Sequence, residues 1–181
     1  CARGVKRYTA ELGGHAPVLV LPDAEAVQTA RLSVSAKFRN AGQVCASPTR
    51  FLVEEDVREE FVAGFLKYMS GLKVGDGTRG CDMGPLITKE HRDKVAGYID
   101  IATKDGATVV VDGRGIQADG GKDGFWLGPT LIDNVSTDSD VYKHEIFGAV
   151  LSVVRVATYE EGLALISSSQ DGNGTAIFTN D

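Results

Sequence analysis

The residues best placed to do chemistry lie in Phe38-Arg39-Asn40-Ala41-Gly42-Gln43-Val44-Cys45-Ala46-Ser47-Pro48. A run with helical spacing stops at Asn40-Ala41-Gly42, a lone cysteine comes next among small residues, and Pro48 prevents a helix from continuing. Cys45 is therefore expected on a tight connection, where a thiol can meet a substrate; the plain alternative is a small buried hydrophobe. Glu11 is the second candidate. It stands where a strand gives way to Leu12-Gly13-Gly14, so its carboxylate is presented at a strand end, where sites in α/β sheets collect. A solvated surface carboxylate is the alternative there. His15, His91 and His144 are scattered without ligand spacing, and His144-Glu145 lacks the second histidine of a zinc helix, so no metal is expected. Gly113-Arg114-Gly115-Ile116-Gln117-Ala118 fits a dinucleotide fingerprint after a strand. The next residues, Asp119-Gly120-Gly121-Lys122-Asp123-Gly124, cannot start the helix whose N-terminus would meet a pyrophosphate, and the stretch reads as a surface loop. Cys1 and Cys81 have no reactive context and read as structural.

The elements that must position these residues alternate between the two periods. Val5 to Leu12 reads as a strand ending in a turn, and Pro17 to Leu21 as a buried strand. Asp23 is a candidate cap for a helix whose inner face is Val27, Ala30, Val34 and Phe38. Thr49 to Val53 is a strand. Asp56 and Glu59 have capping-box spacing ahead of the stripe Val57, Phe61, Phe65 (or Leu66) and Met69. After a glycine-rich loop from Gly71 to Pro85, Thr88 to Ala102 is helical and Gly106 stops it. Thr108 to Val111 is a strand, short strands are expected around Trp126 and Leu131, and another runs from Val150 to Val156. Thr158 and Glu161 open a helix to about Ser168, and Gly174 to Thr179 is the last strand. This order predicts an α/β layered fold with a largely parallel sheet flanked by helices.

With 181 residues the chain is most simply one domain. A net charge of -6 and the absence of a basic run argue against nucleic acid as a partner. No apolar stretch reaches membrane-spanning length. The three cysteines, odd in number and far apart, form no disulfide framework and suit a reducing cytoplasm. A start without Met and an end just inside a strand read as a piece of a longer chain.

Glu11-Leu12-Gly13-Gly14, then Phe38 to Cys45, then Glu145-Ile146-Phe147-Gly148, in that order, resemble the NAD(P)-dependent aldehyde dehydrogenases. Gly128-Pro129-Thr130 and Gly174-Thr175-Ala176-Ile177-Phe178-Thr179 are similar to later landmarks of that family. The resemblance covers essentially all of residues 1–181 and implies the three-layer catalytic domain, without most of the nucleotide-binding domain and the C-terminal end. It implies Cys45 as the nucleophile, passing through a thiohemiacetal and a thioester, and Glu11 as the base that activates the hydrolytic water. An ordinary thiol is only about 3% thiolate at pH 7, so the site must help it ionise. The Cys45 N–H, with an asparagine from outside this region, would hold the oxyanion. Glu145 is similar to the residue that binds the nicotinamide ribose, Phe147 to the aromatic wall beside the ring, and Leu12-Gly13 to the backbone lining it. NAD and NADP both remain open.

Family members that transfer the acyl group to coenzyme A typically lack the glutamate at the Glu11 position. Gly172-Asn173-Gly174-Thr175 is nevertheless faintly similar to one such branch; with Glu11 present, the free acid is the expected product. Arg39 resembles the succinate-semialdehyde dehydrogenase branch, with α-ketoglutarate semialdehyde also open, because a guanidinium there would grip the substrate's distal carboxylate. A solvent-facing arginine is the alternative. Ser47 occupies the position of a second cysteine in some members, so no local disulfide switch is expected. His144 and Ala149 depart from the common residues. The implied protein is a cytoplasmic homo-oligomer when full length, with little turnover from the isolated domain. The rivals are a cofactor-independent thiol esterase and a non-catalytic scaffold.

Overall fold

Three apolar runs form the middle of a single sheet: β1 (Pro17–Val20), β2 (Arg50–Glu54) and β5 (Val150–Val156). They do not alternate because both of their faces are covered, the pattern of a parallel sheet between helices. The computed structural model describes residues 3–121 and 123–181, so Cys1 and Lys122 fall outside the described residues. Adding β3 (Thr108–Val111), β4 (Thr130–Asp133) and β6 (Ala176–Phe178) gives six strands in the order β3-β4-β5-β2-β1-β6. Every neighbouring pair is parallel except β3 with β4. The helices are α1 (Ala26–Phe38), α2 (Glu55–Met69), α3 (Lys89–Lys104), α4 (Asp140–Lys143) and α5 (Tyr159–Ser167).

What holds α1 in place matters most, because the Cys45 connection hangs from its end. A Cβ on Gly64 of α2 would stand 3.1 Å from the Ala30 Cβ, so the two helices approach closely at small residues. Phe38, Phe51, Phe61 and Phe65 then interlock, with Phe38 to Phe65 at 6.0 Å and Phe51 to Phe61 at 5.5 Å between ring centroids. All four rings are essentially buried, and burial of each contributes about 2–3 kcal/mol.

Several expectations are corrected. Residues 5–12 form no strand; they are irregular and exposed, because no neighbouring strand offers them a ladder. No strand forms at Trp126, whose indole N–H instead donates to the Gly121 carbonyl at 3.0 Å, leaving β4 alone in that region. Asp23 does not cap α1, which starts after Glu25 without a side-chain cap. Its carboxylate accepts from Thr179 Oγ1 at 2.8 Å and the Asn180 N–H at 2.7 Å, tying down the chain after β6. Asp56 lies inside the first turn of α2 rather than before it. Thr158 does cap α5, and Glu161 accepts from the Ala157 N–H at 2.7 Å; Thr88, read as the first residue of a helix, is instead the cap of α3.

Candidate active site

At the end of α1 the backbone turns left-handed for three successive residues: Asn40 (φ 50), Ala41 (φ 54) and Gly42 (φ 77). Asparagine tolerates that conformation and glycine adopts it freely, whereas Ala41 stores of order 1 kcal/mol of strain. Gly42 is required on a second ground, since a Cβ there would overlap the Gly148 carbonyl. Gln43 clamps the turn. Its Nε2 donates to the carbonyls of Asn40 (3.1 Å) and Pro85 (3.3 Å), its Oε1 accepts from the Ile87 N–H (2.9 Å), and Asn40 Nδ2 donates to the Gln43 carbonyl (3.0 Å). On the far side of the cysteine, Ser47 Oγ donates to the Lys37 carbonyl at 3.2 Å. Cys45 is therefore exposed at the apex of a connection fixed at both ends, and the buried-hydrophobe alternative does not describe it.

Around this apex the fold gathers three distant segments. A Cβ on Gly14 would stand 2.8 Å from the Cys45 carbonyl oxygen and 3.4 Å from both Glu145 Oε1 and Asn173 Nδ2. One on Gly13 would stand 3.4 Å from Asp171 Oδ1 and 3.7 Å from Glu145 Oε2. Asn173 Nδ2 donates to the Cys45 carbonyl at 2.9 Å across 128 residues of sequence. The bare Gly13-Gly14 backbone thus faces the cysteine connection, with two carboxylates and an amide on its flanks. Behind it, buried Arg50 ties the two arms together. Its guanidinium donates to the carbonyls of His15 (2.6 Å), His144 (2.7 Å) and Tyr142, and to Thr49 Oγ1 (2.8 Å). Burial draws Arg50 down to about 10, still charged at neutral pH. Burial first, then the Arg50 charge, brings His15 down to about 4. His15 is therefore neutral in ordinary buffers.

Phe147, with φ 57, is aimed by its own backbone: the carbonyl is bonded to His91 Nε2 at 2.7 Å, with that nitrogen as donor. It lines a cavity of ≈ 550 Å³ with Asn40, Gln43, Ile87 and Phe125, directly beside the left-handed turn.

Cys45, Gly13, Glu145 and Phe147 are thus grouped around one turn. Glu11 and Leu12 stand in solvent on the irregular N-terminal segment, and Glu11 shares no hydrogen bond with Cys45. Arg39 is exposed and lines a different cleft, of ≈ 420 Å³, with Arg31, Ser35, Tyr68 and Asp82. Sequence reasoning misses Asn173, Asp171, Lys37 and Arg50. Gly172-Asn173-Gly174 is visible as a motif, but its bond to Cys45 is not. The Gly113 loop opens no helix and lines a groove of ≈ 720 Å³ with α2, among none of these residues. Cys81 is half-buried. Among the described residues no group of three His, Cys, Asp or Glu side chains could hold a metal ion, and no helix is long and apolar enough to cross a membrane.

Comparison with known proteins bears on this arrangement. The model of the aldehyde dehydrogenase family matches residues 1–181. A malonate-semialdehyde dehydrogenase of Pseudomonas aeruginosa is 41% identical over 178 residues, 97% of this chain and 36% of that protein. The human mitochondrial methylmalonate-semialdehyde/malonate-semialdehyde dehydrogenase, described as acylating, is 39% identical over 98% of this chain and 33% of its own length. The chain thus spans about a third of the relatives it matches. Among solved structures, a methylmalonate-semialdehyde dehydrogenase from Oceanimonas doudoroffii superposes with a TM-score of 0.90 at 40% identity, over 93% of this chain and 35% of that one. An NADP-dependent glyceraldehyde-3-phosphate dehydrogenase from Bacillus halodurans, complexed with NADP, superposes at 0.86 with 34% identity, over 94% of this chain and 34% of that one.

Proposed function

The chain belongs to the aldehyde dehydrogenase family, and from that premise we propose that it carries the thiol centre of an NAD(P)-dependent semialdehyde dehydrogenase. The observation that carries this reading is the convergence of Gly13-Gly14, Glu145 and Asn173 on an exposed, doubly anchored Cys45. The same geometry fits the cofactor. A glycine backbone without side chains leaves room for a flat ring, the Glu145 carboxylate beside it suits ribose hydroxyls, and Phe147 adds an aromatic wall. NAD or NADP, when bound, supplies the hydride acceptor.

The residues of this chain account for the remainder. The Cys45 thiolate attacks the aldehyde carbon, and the Cys45 N–H stabilises the oxyanion of the thiohemiacetal. Asn173, by holding the Cys45 carbonyl, fixes the peptide on which the thiol is mounted. Loss of hydride leaves an acyl thioester on Cys45. Water activated by Glu11, on the exposed segment that leads into Gly13, then releases the free acid and restores the thiol.

The substrate is a short aldehyde with a distal carboxylate. The names of the relatives favour malonate or methylmalonate semialdehyde over succinate semialdehyde, and Arg39, exposed in a separate cleft, does not supply the guanidinium for the anionic end in this arrangement. The cytoplasmic, homo-oligomeric setting belongs to the same proposal. A second reading is favoured by two observations: the acylating description of the human relative and a solvent-exposed Glu11 with no bond to Cys45. In it the thiol of coenzyme A attacks the thioester and leaves with the acyl group.

Aldehyde-dependent NADH or NADPH formation by the full-length enzyme, measured with malonate semialdehyde and with propanal, tests the proposal. Preference for the carboxylated aldehyde is expected, with a loss of roughly a hundredfold or more in Cys45→Ser, since removing a covalent nucleophile removes the pathway itself. Free acid as product supports Glu11 hydrolysis, and a coenzyme A thioester supports the second reading. Cofactor reduction that survives in Cys45→Ser would contradict both.

A further inference from the structure

The site leaves one chemical group unused. Lys37, in the last turn of α1, is completely buried, and its Nζ has no hydrogen-bond partner among the described residues. Lysine is among the residues least often buried, and an unpaired ammonium in an apolar interior is very costly. A methionine would fill the same space without that cost, so packing alone does not account for the amine.

Its surroundings point to a role. Lys37 Nζ would lie 3.3 Å from a Cβ on Gly42, the same point that the Gly148 carbonyl crowds. The amine and that carbonyl therefore converge where the nucleophile turn meets the Glu145-Ile146-Phe147-Gly148 segment. The Lys37 carbonyl also receives Ser47 Oγ. One residue thus touches the Cys45 connection before and after the cysteine. Resting on the proposal that Cys45 is the nucleophile, we infer that Lys37 is its positioning residue: the uncharged amine closes the Gly42–Gly148 junction, and protonation loosens it.

The groups around it agree with an uncharged amine. Arg50 of β2 bears on it as a like charge, and its Nζ is paired with no carboxylate among the described residues. His91 of α3 bonds the Phe147 carbonyl, Glu145 flanks Gly14, and Cys45 lies at the apex. Burial first, and the Arg50 charge second, bring Lys37 down from 10.5 to about 7. A neutral amine can reach the Gly148 carbonyl through one bridging water, whereas an ammonium demands a fuller hydration shell than a buried junction offers.

Alkylation of Cys45 by iodoacetamide, followed peptide by peptide by mass spectrometry between pH 6 and 9, tests this without cofactor or turnover. Rates are divided by the thiolate fraction from ultraviolet absorbance. In the unaltered chain the corrected rate should fall below pH 7, where one pH unit beneath the midpoint leaves about nine in ten amines protonated. Lys37→Gln keeps a neutral donor, so its corrected rate should stay high with no acid limb. Lys37→Met lacks the donor, so its rate should be low and flat, and circular dichroism checks that both variants fold. A corrected profile in Lys37→Gln that keeps the acid limb of the unaltered chain would overturn the inference. Equal alkylation of Cys45 and Cys81 would instead count against Cys45 as an activated nucleophile, which separates the two failures.

Discussion

At the scale of the residue, the two unusual titrating groups make stability depend on pH with a definite sign. Lys37 binds its proton less tightly folded than unfolded, 10.5 falling to about 7, so between those values the unfolded state holds more protons. Stability therefore rises with pH across that window and is lost as pH falls towards 7. One proton at 1.36 kcal/mol per pH unit gives about 2–3 kcal/mol between pH 7 and 9. His15, brought down to about 4, adds a further loss as pH falls from 6.5 to 4. Urea midpoints of the unaltered chain should thus climb from pH 7 to 9, and those of Lys37→Met should stay level there. A level profile in both would mean that Lys37 is charged in the folded protein. Neither group stands out as unusual in the sequence. Lys37 stands three residues after Val34, on the buried face of α1, but a lysine at such a position is ordinarily read as reaching solvent, so its buried, unpaired amine is visible only in the structure.

At the scale of the element, the legible parts are those whose signal is local. The mostly apolar runs of β1, β2 and β5 and the threonine cap of α5 are readable, because each depends on a few adjacent residues. Residues 5–12 carry the alternation of a strand without a partner strand to pair with, and pairing is a long-range property. Asp23 has the look of a cap and is used instead by Thr179, 156 residues away. The Asn40-Ala41-Gly42 break does form the tight connection its residue types predict, but its left-handed geometry and its contact with Gly148 are consequences of the sheet order. That contact makes a sharp prediction. Gly42→Ala would drive a methyl group into the Gly148 carbonyl and hold a β-carbon at positive φ. A loss of about 2–4 kcal/mol in urea unfolding is expected, or local opening of the turn with release of Gln43 from Pro85 and Ile87. Unchanged stability together with unchanged Cys45 alkylation would show that the junction is not closed in solution.

At the scale of the whole molecule, the sheet assembles a site from three segments that the sequence keeps apart. The segments ending in Gly14, Cys45 and Glu145 lie beside β1, β2 and β5, which are neighbours in the order β5-β2-β1. Parallel pairing brings corresponding strand ends to one side of the sheet, and Arg50 on the central strand bonds both outer arms. These are the amino ends of β1, β2 and β5, opposite the carboxyl ends where ligands usually gather in α/β folds, so the site here depends on the contacts between its three segments rather than on that rule. Asn173 joins through the loop that leads into β6, the edge neighbour of β1. The central claim is that this gathering makes Cys45 the covalent centre. The most direct measurement mixes the full-length enzyme with malonate semialdehyde and NAD or NADP, quenches in acid, and locates the acyl adduct by peptide mass spectrometry. An acyl thioester on Cys45, absent from Cys81 and absent in Cys45→Ser, is the predicted result. Cofactor reduced in step with aldehyde consumed, while Cys45 remains free and Cys45→Ser stays active, would contradict it.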